Sequence, residues 1–578
     1  ILIMKKSLLF SAVLAGLMLG SCSSSDDLAG GNTPANQDGN GYVAFNINLP
    51  SQSGSSSRAA NDNFDDGTPN EYDVKDATLL LFNGADEKTA TFTKAYQLST
   101  APWNKNADDN VTTTSATIVK KIDAPTDKCY ALVILNNNGV FKLSGTDITF
   151  EGATGTFSGT LDEFLKSTST KNTNLTENGF YMANAPLASL PGGNSDPKGS
   201  DISTLVNLNG KIKATEADAK SSPAQIFVER GVAKVTMQNS STPTIVDGSK
   251  KSDGTSTVGF KLTSWALDNT NKSTYWVRST EGFGDWLSYS SKKFTSPNYR
   301  FVGSKAVPNT PNLYRTYFAK DANFDKAQNT LASFGQATSF SGGFGDEKPQ
   351  YCFENTFNVE SQNDNFTTRV LIKAALNSGE TFYVINGDEN TIYTRTEVEN
   401  EIKRHFLSEY EGWIKKNVTS PTSITGSEVV VDFTDKAGAV SINSIGFAST
   451  VTTSTSLPSD VASIVTSRLG SIMEYYKGES YYFVRIKHFG DELTPWEKGQ
   501  LGVDDVVYPG ADAENNWLGR YGVLRNNWYD IEVTGVKGLG SAEVPKVTPD
   551  PDDELQSYIA VKINVLSWAK RTQGAVLH

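Results

Sequence analysis

Eight residues near the start of the chain, Tyr42-Val43-Ala44-Phe45-Asn46-Ile47-Asn48-Leu49, alternate strictly. Val43, Phe45, Ile47 and Leu49 fall on one side of a period-two strand, and Tyr42, Ala44, Asn46 and Asn48 on the other. The segment therefore predicts a strand with one face made for a core. Pro50 ends it, and residues 51–57 are only Ser, Gln and Gly, a loop without structure of its own. At the loop's end stands Arg58, the first Lys or Arg after residue 22. A trypsin-like protease meeting this loop would cut between Arg58 and Ala59, because exposed Ser/Gly-rich loops are where nicking is easiest. The competing reading is an ordinary loop arginine.

What precedes the strand gives that arginine a context. Lys5-Lys6 and the apolar run from Leu8 to Leu19 have the charged start and short core of an export signal. The run is too short to span a bilayer and closes in Leu19-Gly20-Ser21-Cys22, a small-residue pair before a lone Cys. That is the pattern of a bacterial lipoprotein, with residues 1–21 removed and Cys22 acylated. The alternative is a soluble secreted protein with an incidental Cys. Residues 23–40, rich in Ser, Asp, Gly, Asn and Pro, read as a flexible tether to an outer-membrane lipid.

Composition narrows the function classes. The net charge is −13 without a basic patch, so nucleic acid is not an expected partner. Three histidines, His405, His488 and His578, stand far apart and lack metal-ligand spacing. No phosphate-cradling glycine loop and no nucleophile elbow occurs, and no pair of carboxylates stands out for glycoside cleavage. Asp62 to Gly67 is faintly calcium-like but lacks the full loop pattern and its Glu. Neither a cofactor, a metal nor an enzymatic activity is expected. With Cys22 acylated, Cys129 and Cys352 remain, in separate halves; a disulfide and two buried thiols are both open.

The rest reads as β-structure. Strands are expected at Asp76 to Phe82, Cys129 to Leu135, Gly179 to Pro186 and, as one long run, Ile226 to Met237. Composition shifts to Thr, Ser, Gly, Lys and Asp from Ser241 to Val258, which places a domain boundary there. Beyond it come strands at 260–265, 273–277, 481–489, 529–536 and 558–565. Two helices interrupt them: 396–416, with Thr396 and Glu399 as a capping box, and 459–477, stopping at Gly478. The expected organisation is a signal at 1–21, a lipidated tether with a removable strand at 22–58, β-sandwich domains at 59–245 and 246–556, and a C-terminal strand and tail at 557–578.

Five stretches then carry a resemblance: Val228-Glu229-Arg230-Gly231-Val232-Ala233-Lys234-Val235, Lys261-Leu262-Thr263-Ser264-Trp265-Ala266-Leu267, Tyr351-Cys352-Phe353-Glu354-Asn355-Thr356, Arg485 to Gly490 with Leu493-Thr494-Pro495-Trp496, and Tyr521 to Tyr529. In this order they resemble the type V pilins of Bacteroidetes, the fimbrillins, particularly the Mfa-type major subunit. One departure is Gly231, where the family commonly has Ala. The resemblance implies a mainly β fold of two β-sandwich (Greek-key/transthyretin-like) domains with helical insertions in the second. It also implies lipoprotein export, maturation after an Arg by an Arg-specific protease, and polymerisation into a surface fimbrium for adhesion and biofilm formation. The implied partners are further copies of the chain and the anchor and tip subunits. The implied mechanism is strand exchange: Val43, Phe45, Ile47 and Leu49 leave with their strand, and a C-terminal donor replaces them.

Two segments compete for the donor role. Ile559, Val561, Ile563 and Val565 alternate as strictly as the N-terminal strand, while the tail from Trp568 to Val576 and Leu577 alternates more weakly. A surface glycan-binding lipoprotein is the alternative from another class, and a tip or anchor subunit of the same fimbrium the alternative within it. A glycan binder needs its anchor and has no reason to carry a core-type strand ahead of an exposed Arg.

Overall fold

In the computed structural model the described residues are 40–48, 64–65, 68–99, 115–125, 127–165, 168–169, 176, 178–188, 202–240, 242–281, 302–305, 314–316, 319–324, 333–356, 364–434, 437–486, 488, 522–548 and 568–577. The chain is mainly β, as expected. Its first half supplies β1 (Asn40–Asn48), β2 (Phe64–Asp65), β3 (Ala77–Asn83), β4 (Thr91–Gln97), β5 (Ser115–Asp123), β6 (Cys129–Leu135), β7 (Met182–Asn184), β8 (Ala224–Arg230) and β9 (Ala233–Gln238). Short helices lie between them, among them α1 (Pro69–Tyr72), which follows β2, and α2 (Glu216–Ser221), which precedes β8.

Seven of these strands form one sheet in the order β4-β3-β6-β7-β8-β1-β5, with Val206–Asn207 added beside β6. Leu79, Leu80, Phe82 and every residue of β6 are buried, so these strands are covered on both faces, as their unbroken apolar runs require. The sheet curls until its two ends touch. Lys94 on β4 pairs with Asp123 on β5, the Lys120 ammonium donates to the Gln97 carbonyl at 3.0 Å, and the Asp123 N–H donates to the Tyr96 hydroxyl at 3.3 Å.

The second half supplies β10 (Ile245–Lys251), β11 (Thr257–Asp268), β12 (Gln350–Cys352), β13 (Arg369–Leu376), β14 (Glu479–Arg485), β15 (Asn527–Val536) and β16 (Trp568–Leu577). One sheet runs Thr391–Ile392, β10, β11, β13, β14; the other runs β2-β16-β15-β9-β12. A single buried cluster draws Val235, Met237, Ile531 and Val533 from the second of these and Val258, Val370, Ile372 and Val484 from the first. The two sheets therefore share a core. The Thr- and Ser-rich stretch after residue 241 is not a linker in form: β10 and β11 pair there as a hairpin.

Ile226 to Met237 is two strands and not one. The break falls at Gly231-Val232, where the Gly231 N–H donates to the Tyr181 carbonyl at 2.9 Å. On one side β8 belongs to the first sheet; on the other β9 belongs to the sheet of β15 and β16.

The helical insertions have a core of their own, with Val398, Ile402 and Phe406 from α3 (Arg395–Glu409) against Val461, Val465 and Leu469 from α4 (Val461–Leu469). Both helices depart from the sequence expectation at their ends. The capping box is Thr394 with Glu397, two residues before Thr396 and Glu399, because Tyr393 is tied back to Tyr383 and the helix starts at once after it. Glu399 instead pairs with Lys403 at 2.8 Å. The second helix stops at Gly470 and not Gly478: Gly470 has φ 90° and ψ −170°, a backbone region open essentially to glycine alone. Ile472 and Met473 then enter a strand beside Phe382–Ile385.

A β-carbon at position 470 would also press on the Asn386 side chain. Gly470→Ala is expected to lower the free energy of unfolding by about 1–3 kcal/mol in urea melts monitored by circular dichroism.

Candidate strand-exchange site

The alternating segment near the start of the chain sits inside the first sheet. β1 pairs antiparallel with β5 along its whole length, Asn40 opposite Asp123 and Asn48 opposite Ser115. On its other side Phe45 to Asn48 pair parallel with Ala224 to Phe227, and further up Tyr42 exchanges backbone hydrogen bonds with Lys213 at 2.7 and 2.8 Å. Val43, Phe45 and Ile47 are wholly buried among the apolar side chains of the sheet. At roughly 1.5–3 kcal/mol per side chain, their burial is worth about 5–9 kcal/mol before ordering costs. Ala44 on the opposite face is buried too, and α2 packs against both β1 and β5. Among the described residues β5 has no strand neighbour but β1.

The slot is thus flanked by β8 on one side and β5 on the other. Removing β1 would leave two open backbone edges about 10 Å apart, room for one strand and no more.

The C-terminal strand lies at the other end of the molecule's strand order. β16 runs parallel to β15, with Asn527 opposite Ala569, Tyr529 opposite Arg571, Ile531 opposite Gln573 and Val536 opposite Leu577. Trp568, Val576 and Leu577 therefore belong to one strand at the backbone level. Ile559, Val561, Ile563 and Val565 lie outside the described residues, as do Cys22, Leu49, Arg58 and Ala59.

Between slot and C-terminal strand lies a buried polar junction that sequence reasoning did not single out by role. Glu71, on α1, accepts from the Lys234 ammonium at 2.9 and 3.1 Å, from the Thr68 N–H at 2.7 Å and from the Tyr351 hydroxyl at 2.5 Å. Burial, and after it the charge of Glu71, pushes the Tyr351 phenol up, so it remains a neutral donor. The Lys234 ammonium also sits 3.9 Å above the Trp528 ring, and the Trp528 indole N–H donates to Thr236 Oγ1 at 2.7 Å. Beside this, Arg525 holds Glu354 at 2.8 Å, Arg278 holds Glu229 at 2.6 Å, and the Arg230 Nε–H donates to the Glu71 carbonyl at 2.7 Å. These charged groups are all at least nine-tenths buried.

Motif residues from 228–235, 351–356 and 522–529, far apart in the chain, meet in this junction. Glu71 was the missing member: its only sequence signal is the Thr-x-x-Glu pattern of residues 68–71, which closes a capping box here. His488, also in a motif, is buried and lies 2.7 Å from the Tyr529 hydroxyl, which accepts the Leu524 N–H at 2.9 Å. Cys129 and Cys352 are free, and burial pushes both thiols up to about 12.

Deleting one partner of a buried ion pair strands the other. Lys234→Met is expected to lose about 3–5 kcal/mol of unfolding free energy, and Glu71→Leu combined with Lys234→Met to recover part of it. A double-mutant cycle by chemical denaturation measures the coupling; a coupling near zero would mean that the pair does not hold the junction.

Comparison with known proteins gives the following. No curated protein matches the chain. Among solved structures, a cell-adhesion candidate from Parabacteroides distasonis is 11% identical, with 93% of this chain and 99% of that one covered and a TM-score of 0.30. A fimbrial assembly protein from the same organism is 10% identical over 58% of this chain and 82% of that one, with a TM-score of 0.23. The tip fimbrial protein Mfa3 from Porphyromonas gingivalis, with a C-terminal truncation, is 9% identical over 57% of this chain and 77% of that one, also with a TM-score of 0.23. Residues 505–574, which take in β15 and most of β16, match the family described as major fimbrial subunit protein type IV, fimbrillin, C-terminal.

Proposed function

We propose that this protein is a fimbrillin and a polymerising structural subunit, exported as a lipoprotein through Cys22, cut between Arg58 and Ala59, and joined to its neighbours by strand exchange. The observation that carries the reading is the placement of β1. The segment upstream of Arg58 is an integral strand of the first sheet, with Val43, Phe45 and Ile47 at zero exposure. A covalent lipid tether running through this strand holds the subunit at the membrane. A cut at Arg58 separates strand and tether from the body, while the contacts of β1 keep the slot filled until another strand replaces it.

The replacement comes from the C-terminus of a second copy. Residues 568–577 already pair as a strand with β15, and strand addition to the edges of β8 and β5 uses the same backbone chemistry. The contact is head-to-tail, so it generates an open filament and not a closed ring. The fimbrium so built sits on the cell surface and serves adhesion and biofilm formation, with anchor and tip subunits at its ends.

Two experiments test this. Arg58→Ala should accumulate as intact, lipid-linked monomer after trace trypsin, where the wild-type chain yields a product starting at Ala59 and ladders in gel filtration. Filaments built from uncut Arg58→Ala protein would sink the reading. Deletion of residues 569–578 should leave a folded, correctly cut subunit that no longer polymerises. Normal filaments from that deletion would place the donor elsewhere.

A further inference from the structure

The chain that follows Arg58 crosses to the second half before it takes part in the first sheet again. β2 pairs antiparallel with the start of β16, Phe64 opposite Ala569 and Asp65 opposite Trp568. β16 is therefore an inner strand: β15 lines one side along its length, and β2 covers the other side where β16 begins. Three residues beyond β2 the backbone is fixed, because Thr68 and Glu71 close their capping box and Glu71 is locked to Lys234 and Tyr351. On the other side, fifteen residues separate β2 from β1, which is fixed in the first sheet.

β2 is thus pinned on both sides by buried structure. A two-residue strand has little pairing energy of its own, and its persistence depends on how its ends are held. While both ends are held, it opens only as a closed loop whose freedom is limited. Once the chain is cut after Arg58, five residues separate β2 from a free end, and it frays as a terminus does.

We propose that β2 is a latch on the C-terminal strand, closed in the uncut chain and loosened by the cut at Arg58. The proposal rests on the reading that Arg58 is the cut and that residues 568–577 are handed to a neighbour. One proteolytic event then acts on both ends of the assembly reaction. It detaches β1 from the chain on the accepting side and frees β16 on the donating side. An uncut subunit neither accepts nor gives a strand, so premature chains are blocked in both directions.

Backbone amide exchange on the full chain tests the latch. In uncut Arg58→Ala protein, adding Phe64→Pro and Asp65→Pro removes the N–H groups of β2. Exchange at residues 568–571 should rise about tenfold or more, with residues 43–47 still protected. Trypsin cleavage of the wild-type chain should produce the same rise. Unchanged exchange at 568–571 in the proline variant overturns the proposal.

A second variant guards against misfolding. Phe64 and Ala569 stand directly opposite, so Phe64→Cys with Ala569→Cys places two thiols at disulfide distance. The oxidised, cut protein should stay monomeric and polymerise on reduction. Equal polymerisation of oxidised and reduced forms also overturns the latch. Failure of the donor reading is visible separately, as filaments from the 569–578 deletion, and leaves the exchange comparison standing.

Discussion

One stretch of chain, Ala224 to Gln238, is an inner strand of two different sheets, and the rest of the architecture is arranged around that fact. As β8 it lies between β7 and β1; as β9 it lies between β15 and β12. Crossing from one sheet to another would leave the backbone and side chains at the turn poorly covered. The buried ion pairs Lys234–Glu71, Arg278–Glu229 and Arg525–Glu354 cluster there, and they satisfy in protein what water would otherwise satisfy. Desolvating so many charges is costly, and the geometry offsets that cost where a carboxylate meets several donors at once, as those of Glu71 and Glu354 do.

How much of this was legible in the chain depended on the range of the interaction. Period-two alternation at 42–49 was enough to read a strand and its inward face, because alternation is a local property. The unbroken apolar runs at 76–82 and 129–135 were legible for the same reason. The division of 226–237 into two strands was not: Val232, Ala233 and Val235 continue the β pattern without a break, and only the distant partners at 350–352 and 527–536 separate β9 from β8. Two overlapping Thr-x-x-Glu patterns at 394–399 were equivalent locally, and the pairing of Tyr393 with Tyr383 chose between them. The polar junction was half legible. Its motifs were visible as motifs, while the role of Glu71 became visible only once α1 was placed against Lys234 and Tyr351.

Strand exchange as proposed requires a buried strand that can be replaced, and two features of the first sheet suit it. β1 contributes large apolar side chains, yet its ladder with β8 takes in Phe45 to Asn48, and Tyr42 is bonded instead to Lys213. Among the described residues its antiparallel partner β5 has no second strand to lean on, and it is otherwise held by α2 and by side chains that link it to β4. Such an edge is stable as long as something fills the slot, and adaptable in what fills it.

The continuity of β8 into β9 has a mechanical meaning for any filament assembled through this slot. Tension entering beside β8 passes through covalent backbone into β9 without crossing a soft interface. From β9 it transfers sideways to β15 along the parallel register from Lys234–Trp528 to Gln238–Glu532, and from there it follows the chain toward its C-terminus. A pull along these strands loads the ladder bonds in shear, so they resist together and do not unzip one by one. The clustered ion pairs at the turn keep the two sheets from hinging apart under that load. If copies join as proposed, a subunit built this way would act as a stiff link, with the compliance at the joints.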